Sequence, residues 1–205
     1  MRRTLSQAAL LLLLALGAEG ELAAATGPME AAEREERNSH LRFMPGEVIS
    51  RELGSEGRSG IIDGIPYVYS IDGQGRPATG RVAGWFVRTI FDEMDDTETY
   101  YLVNDAARLM VFPGTNGSQP RFCVIGHDFP QRHAMARVDS EPVVNALGDG
   151  CFSSTRLFLE LSGGAVVRTR RYEWPYDYSQ DAVGDAAHFG KAVRLLAYMR
   201  KTRFE

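Results

Sequence analysis

The 205-residue sequence lacks the motifs of the common catalytic classes. No Gly-x-Ser-x-Gly segment marks a nucleophilic serine, and no glycine-rich phosphate loop is present. The formal net charge is −4, and no basic stripe of the kind that attracts nucleic acid by counterion release is present. We therefore expect a protein without enzymatic activity, without a cofactor and without a nucleic-acid partner.

Cysteine is scarce, with only Cys123 and Cys151 in the whole chain. In an oxidising compartment an isolated pair most simply forms a disulfide, and two separate buried thiols are the alternative. A zinc site is less favoured because no histidines lie near the two cysteines at the spacing of zinc ligands. The sequence predicts a Cys123–Cys151 disulfide.

A long hydrophobic run is also missing. Two arginines precede an apolar run from Ala8 to Leu16 and then small residues, a pattern typical of a secretory signal peptide. The run is shorter than the roughly 20 residues of a membrane-spanning helix. We predict a signal peptide over residues 1–25, cleaved after Gly20 or Ala25. The expected product is periplasmic or secreted and has no transmembrane segment after signal removal.

The composition changes twice after the signal peptide. Residues 26–60 are rich in charged residues, glycine and serine, with too few apolar residues to bury a helix, which predicts a flexible charged arm. From residue 61 apolar and aromatic residues alternate with glycine, proline and aspartate, a pattern typical of short strands and turns. The sequence therefore predicts one β-rich globular domain over residues 61–205.

Strand patterns fill the first part of this domain and helical patterns appear near its end. An Asn116–Gly117 pair suits a turn between two strands. Apolar residues at helical spacing predict a helix over 155–161 and a C-terminal amphipathic helix within Asp185–Met199. The strands are predicted at 85–90, 97–103, 108–112, 121–125, 134–138 and 165–172. The predicted fold is α+β, mostly antiparallel β, with a meander or sandwich-like sheet.

Four aromatic residues occupy alternate positions in one segment: Tyr172, Trp174, Tyr176 and Tyr178. In an extended strand all four rings share one face, so the segment is an aromatic ladder. We favour rings that cap the hydrophobic core, because Pro175 interrupts a regular strand. The alternative is a ligand-binding face that stacks on sugar rings or a peptide.

Two further groups of residues carry weaker chemical signals. His127, Asp128 and His133 have metal-ligand residue types, but Phe129 and Pro130 between them favour a structural turn. We therefore predict no metal site there. Three arginines beside the aromatic ladder are candidates for an anion site, although exposed strand arginines are common. They are Arg168, Arg170 and Arg171.

Several short segments occur in a characteristic order along the domain. They are Trp85 at the start of a strand, Asp92-x-Met94-Asp95-Asp96, Cys123, Arg137-Val138-Asp139 and Phe189-Gly190-x-Ala192. In this order they resemble the exported type VI secretion-associated VasI-like accessory family of bacteria. A weaker similarity, in Leu161-x-Gly163 and Phe189-Gly190, is to invasion-associated locus B proteins. The resemblance implies a small exported β-rich protein with an accessory role.

These observations lead to three functional hypotheses. The first is a non-catalytic exported accessory protein that binds another envelope protein. The second is a carbohydrate or peptidoglycan-binding module that uses the aromatic ladder to hold cell-wall glycan. The third is a metal-dependent hydrolase built on the two histidines and the aspartate. Solvent exposure of Trp174 discriminates the second hypothesis, since a binding face requires an accessible ring.

Overall fold

A computed structural model describes residues 47–52, 55–114, 117–146 and 148–201. The signal peptide predicted over residues 1–25 and the part of the arm before residue 47 lie outside the described residues. Within the described part of the chain, thirteen strands and two helices are present. The predicted α+β class with mostly antiparallel strands is confirmed.

Nine of the described strands form one antiparallel sheet. Eight of them follow in sequence order, and the ninth pairs with the eighth at the far edge. This order confirms the predicted meander. The strands are β1 (Val48–Glu52), β2 (Ser55–Ile62), β3 (Ile65–Ile71), β4 (Pro77–Val82), β5 (Trp85–Asp92), β6 (Thr97–Asn104), β7 (Leu109–Phe112), β8 (Arg121–Val124) and β11 (Cys151–Ser153).

A second antiparallel sheet contains four strands in the order β10-β9-β12-β13. They are β9 (Met135–Val138), β10 (Val144–Asn145), β12 (Val166–Tyr172) and β13 (Ser179–Asp185). The two helices are α1 (Thr155–Gly163) and α2 (Phe189–Lys201). Neither of these described helices is long and apolar enough to cross a membrane.

Helix α2 covers one face of the first sheet at β4, β5 and β6. Its apolar stripe of Phe189, Val193, Leu196 and Met199 is buried, which confirms the predicted amphipathic C-terminal helix. The ring of Phe189 lies 4.9 Å from the ring of Trp85, which opens β5. The helix begins four residues later than Asp185 because β13 runs through that residue.

The prediction of a flexible arm over residues 26–60 is wrong from residue 48 onwards, because β1 and β2 belong to the first sheet. Strand β2 pairs with β3 from Glu56 to Ile62, and a two-residue turn, Asp63–Gly64, joins the two strands. Both turn residues have positive φ, 47° and 79°, which suits an Asp-Gly hairpin. Backbone pairing at a sheet edge needs few apolar side chains, so composition did not reveal these strands.

A carboxylate fixes the start of this edge to the core. Glu47 is largely buried, and its carboxylate accepts hydrogen bonds from the hydroxyls of Tyr67 (2.8 Å), Tyr69 (3.3 Å) and Tyr198 (3.3 Å). Arg58 forms an ion pair with the same carboxylate at 3.5 Å. Burial raises the pKa of Tyr67 and of Tyr69, and the hydrogen bond to Glu47 raises that of Tyr67 further.

We expect the tyrosines of this cluster to resist ionisation in alkaline solution. A raised folded-state pKa gives stability that is present below the unfolded value of about 10 and is lost as the pH rises through the folded value. Titration followed at 295 nm should show tyrosinate from Tyr67, Tyr69 and Tyr198 only when circular dichroism reports unfolding. Complete tyrosinate absorbance in a folded protein would contradict this expectation.

The predicted disulfide is present. Cys123 in β8 lies directly opposite Cys151 in β11, with an S–S distance of 2.07 Å. Helix α1 begins just after β11, where the Ser154 side chain accepts a hydrogen bond from the backbone N–H of Leu157. The disulfide therefore ties the last strand of the first sheet and the start of α1 to the strands before them.

A buried polar contact joins the two sheets. Asn104, at the end of β6, donates from Nδ2 to the carbonyl oxygen of Asp185 at 2.8 Å and accepts from the Ala107 N–H at 3.0 Å. Thr169 in β12 donates its hydroxyl to the carbonyl oxygen of Ala107 at 2.5 Å. A Cβ on Gly184 would lie 2.4 Å from Asn104 Oδ1, so glycine permits this close approach.

Candidate functional site

The aromatic ladder forms a surface loop between β12 and β13. Strand β12 ends at Tyr172, which pairs with Ser179 at the start of β13, and the residues between them form the hairpin connection. We call residues 172–178 the aromatic loop. The Trp174–Pro175 peptide is cis, and the segment is not one extended strand.

Three of the four rings are accessible to solvent. The exposed fractions are 59% for Trp174, 61% for Tyr176 and 52% for Tyr178, whereas Tyr172 is partly buried. The interpretation of these rings as a cap on the core is therefore wrong. It failed because the chain leaves the sheet after Tyr172, so the rings that follow do not face the helix.

The backbone of the aromatic loop is held by the segment that contains His127 and Asp128. The N–H of Trp174 donates to Asp128 Oδ1 at 2.7 Å, and the N–H of Asp128 donates to the Tyr172 carbonyl oxygen at 3.2 Å. The N–H of Tyr172 donates to His127 Nδ1 at 3.1 Å. Phe129 supports the Trp174 ring edge to face, with ring centres 5.2 Å apart.

Two of the three residues considered for a metal site, His127 and Asp128, perform this positioning role. His127 accepts at Nδ1 and donates from Nε2 to the carbonyl oxygen of Arg132 at 3.1 Å, so both ring nitrogens are in use. His133 Nδ1 donates to the carbonyl oxygen of Ala146 at 2.8 Å. The residues that the structure describes contain no group of three His, Cys, Asp or Glu side chains arranged to hold a metal ion.

An exposed ion pair fixes the far side of the aromatic loop. Arg132 donates from Nε and Nη2 to the two carboxylate oxygens of Asp177, at 2.8 and 2.5 Å. The same guanidinium lies 5.6 Å from the centre of the Tyr172 ring. The hydrogen bonds from Arg132 lower the pKa of Asp177, which favours the charged carboxylate beside the rings.

Polar side chains border the exposed rings. Gln180 in β13 donates to the Glu173 carboxylate and to the Tyr178 hydroxyl, each at 3.2 Å. Together with the Arg132–Asp177 pair, these groups offer both donors and acceptors within one small surface. The site therefore combines apolar ring faces with hydrogen-bonding groups at their edges.

The three arginines beside the aromatic loop have different environments. Arg170 forms a salt bridge with Asp181 across β12 and β13, at 2.6 Å. Arg171 lies on the other face of the strand and donates to Gln180 at 3.1 Å. Arg168 lines an open cavity of about 400 Å³ on the outer face of the second sheet, together with Arg137. The three arginines that were candidates for an anion site therefore do not form one cluster.

Arg132, Phe129 and Arg137 are site residues that the sequence did not indicate. Each lies more than 30 positions before its partner in β12 or the aromatic loop, and no local spacing connects them. The turn predicted at Phe129 and Pro130 is the one sequence signal for these residues. A turn that lies next to the end of a strand places its side chains close to that end.

No protein-family model, curated protein or solved structure matches the chain. The resemblance to the VasI-like family stays a prediction.

Proposed function

We propose that the protein is a non-catalytic exported binding module that holds cell-wall glycan on the aromatic loop. The observation that carries the proposal is the exposure of Trp174, Tyr176 and Tyr178. The backbone of their loop is held in place by hydrogen bonds to His127 and Asp128. Large exposed rings are unfavourable in water and mark binding surfaces when they cluster. A fixed loop also loses little conformational entropy when a ligand binds.

The chemistry of the loop suits a sugar ligand. A pyranose ring presents an apolar C–H face and hydroxyls at its rim, which match an aromatic face bordered by donors and acceptors. Asp177 accepts hydrogen bonds and Arg132 donates them, and both side chains are about half exposed. Ring stacking with hydrogen bonds at the rim gives a ligand orientation as well as affinity.

The positioning of His127 supports a binding role over a hydrolytic one. Hydrolysis by a bound metal or an activated water requires a ligand atom or base that is available to the substrate. Both nitrogens of His127 are engaged with backbone groups, and the Asp128 carboxylate accepts from the loop. The Cys123–Cys151 disulfide and the predicted signal peptide support the proposal of a periplasmic or secreted location.

The test is cosedimentation of the exported form with purified peptidoglycan sacculi. We expect Trp174→Ala to weaken binding about tenfold or more, because one stacked ring contributes at least about 1.4 kcal/mol at such a surface. Phe91→Ala is the matched control, since Phe91 is an exposed ring in β5 outside the aromatic loop. Thermal unfolding of both variants should match that of the wild type.

A protein of the cell envelope is the second candidate ligand. Tyrosine, tryptophan and arginine are also the residues that dominate protein–protein interfaces, and all three types are present in and beside the aromatic loop. Wild-type protein that fails to sediment with sacculi would overturn the glycan proposal. Crosslinking in the cell that depends on Trp174 would then support the protein partner.

A further inference from the structure

The outer face of the second sheet places two arginines side by side. Arg137 in β9 lies directly opposite Arg168 in β12, and both line the cavity of about 400 Å³. Like charges at directly opposed positions of an antiparallel pair are destabilising. We call this cavity the arginine groove; Met135, Val143 and Val183 also line it.

Neither of these arginines is neutralised by a carboxylate in the part of the chain that the structure describes. Arg168 donates weakly to the carbonyl oxygen of Asp139, at 3.4 Å. The Asp139 carboxylate itself accepts the backbone N–H groups of Ala165 and Val166, at 3.1 and 2.9 Å. Asp181, the one acidic residue that lines the groove, is paired with Arg170 by two hydrogen bonds of 2.6 and 2.8 Å.

The groove is therefore locally positive on a chain whose net charge is −4. An anionic ligand would remove the repulsion between Arg137 and Arg168, and guanidinium groups bind carboxylates with paired, charge-assisted hydrogen bonds. Val143 and Val183, which are 44% and 55% exposed, give the same groove an apolar side. The lining thus fits a carboxylate attached to an apolar or partly apolar chain.

The arginine groove lies on the strand that leads into the aromatic loop. Residues two apart on a strand share a face, so Tyr172 lies on the same side of β12 as Arg168 and Arg170. From Arg168 to Tyr172 the strand spans roughly 13 Å at about 3.3 Å per residue. An extended ligand is needed to contact both parts.

We propose that the arginine groove binds carboxylates carried by the same polymer that stacks on the aromatic loop. The preferred ligand would then be an acidic glycan, such as peptidoglycan with its carboxylate-bearing stem peptides, and a neutral polysaccharide would bind more weakly, through the aromatic loop alone. This inference rests on the proposed glycan-binding function. Guanidinium–carboxylate pairing in the groove supplies selectivity, and ring stacking in the loop supplies contact with the sugar backbone.

The test compares binding to purified sacculi with binding to chitin, an uncharged polymer of a related amino sugar. We expect the double variant Arg137→Gln/Arg168→Gln to bind sacculi about tenfold or more weakly, and to bind chitin as the wild type does. Arg81→Gln/Arg88→Gln is the matched control, with the same change in charge on the first sheet. Thermal unfolding verifies that the variants are folded.

The outcomes separate this inference from the proposed function. Weaker binding of Trp174→Ala to both polymers, with unchanged binding of the double arginine variant, overturns the inference and leaves the proposed function standing. Equal losses of the double arginine variant on sacculi and chitin also overturn the inference. No effect of Trp174→Ala on either polymer, or no wild-type binding to sacculi, overturns the proposed function and the inference with it.

Discussion

Replacement of both cysteines, Cys123→Ala and Cys151→Ala, is expected to lower the free energy of unfolding by about 3 to 4 kcal/mol. The disulfide joins residues 28 positions apart, and its removal returns the entropy of that loop to the unfolded chain. For a domain of this size the loss corresponds to a decrease of about 6 to 16 °C in the melting temperature. Urea denaturation and calorimetry measure both quantities.

The location of the disulfide adds a local effect. Strand β11 is the edge of the first sheet and pairs with β8 at only three positions. Without the disulfide, amide hydrogen exchange of Cys151–Ser153 should accelerate more than that of β5 and β6 in the centre of the sheet. Reduction of the wild type provides the control and should reproduce the effect of the double variant. A loss below about 1 kcal/mol would contradict the entropic account.

Local sequence patterns predicted the elements whose stability comes from apolar burial. Strands β5 to β9 and β12 combine alternating apolar residues with turn residues, and both helices carry an apolar stripe at helical spacing. Strand β1 and most of β2 lie where composition predicts a flexible arm, because their pairing depends on backbone hydrogen bonds. Strand β13 was missed since its exposed face and Gly184 give it little apolar pattern.

The residue types of the aromatic loop are visible in the sequence, but the buried environment favoured for its rings is wrong. Aromatic residues at alternate positions indicate a candidate site at residues 172–178. The two-residue period, however, places these rings on one face only if the segment is a regular strand. The hairpin between β12 and β13 breaks that period and turns Trp174 towards solvent. The supporting residues, from His127 to Arg132, come from a distant part of the chain, so only the tertiary structure brings them to the aromatic loop.

Asn104→Ala is expected to destabilise the protein by about 2 to 4 kcal/mol. Asn104 is 1% exposed, and its side chain satisfies the Ala107 N–H and the Asp185 carbonyl oxygen. Alanine would leave the buried Ala107 N–H and the partly buried Asp185 carbonyl oxygen without these partners, and each unsatisfied buried group costs about 1 to 3 kcal/mol. The free energy of unfolding from urea titration measures the loss.

Asn145→Ala is the matched control, because Asn145 is an exposed asparagine at the edge of the second sheet. It should change the stability by less than about 0.5 kcal/mol. Equal effects of the two substitutions would show that the Asn104 hydrogen bonds contribute little.

Because Asn104 connects β6 of the first sheet to Asp185 at the end of β13, its loss should also loosen the hairpin that carries the aromatic loop. Faster hydrogen exchange in β13 of the Asn104→Ala variant would therefore accompany weaker binding to sacculi.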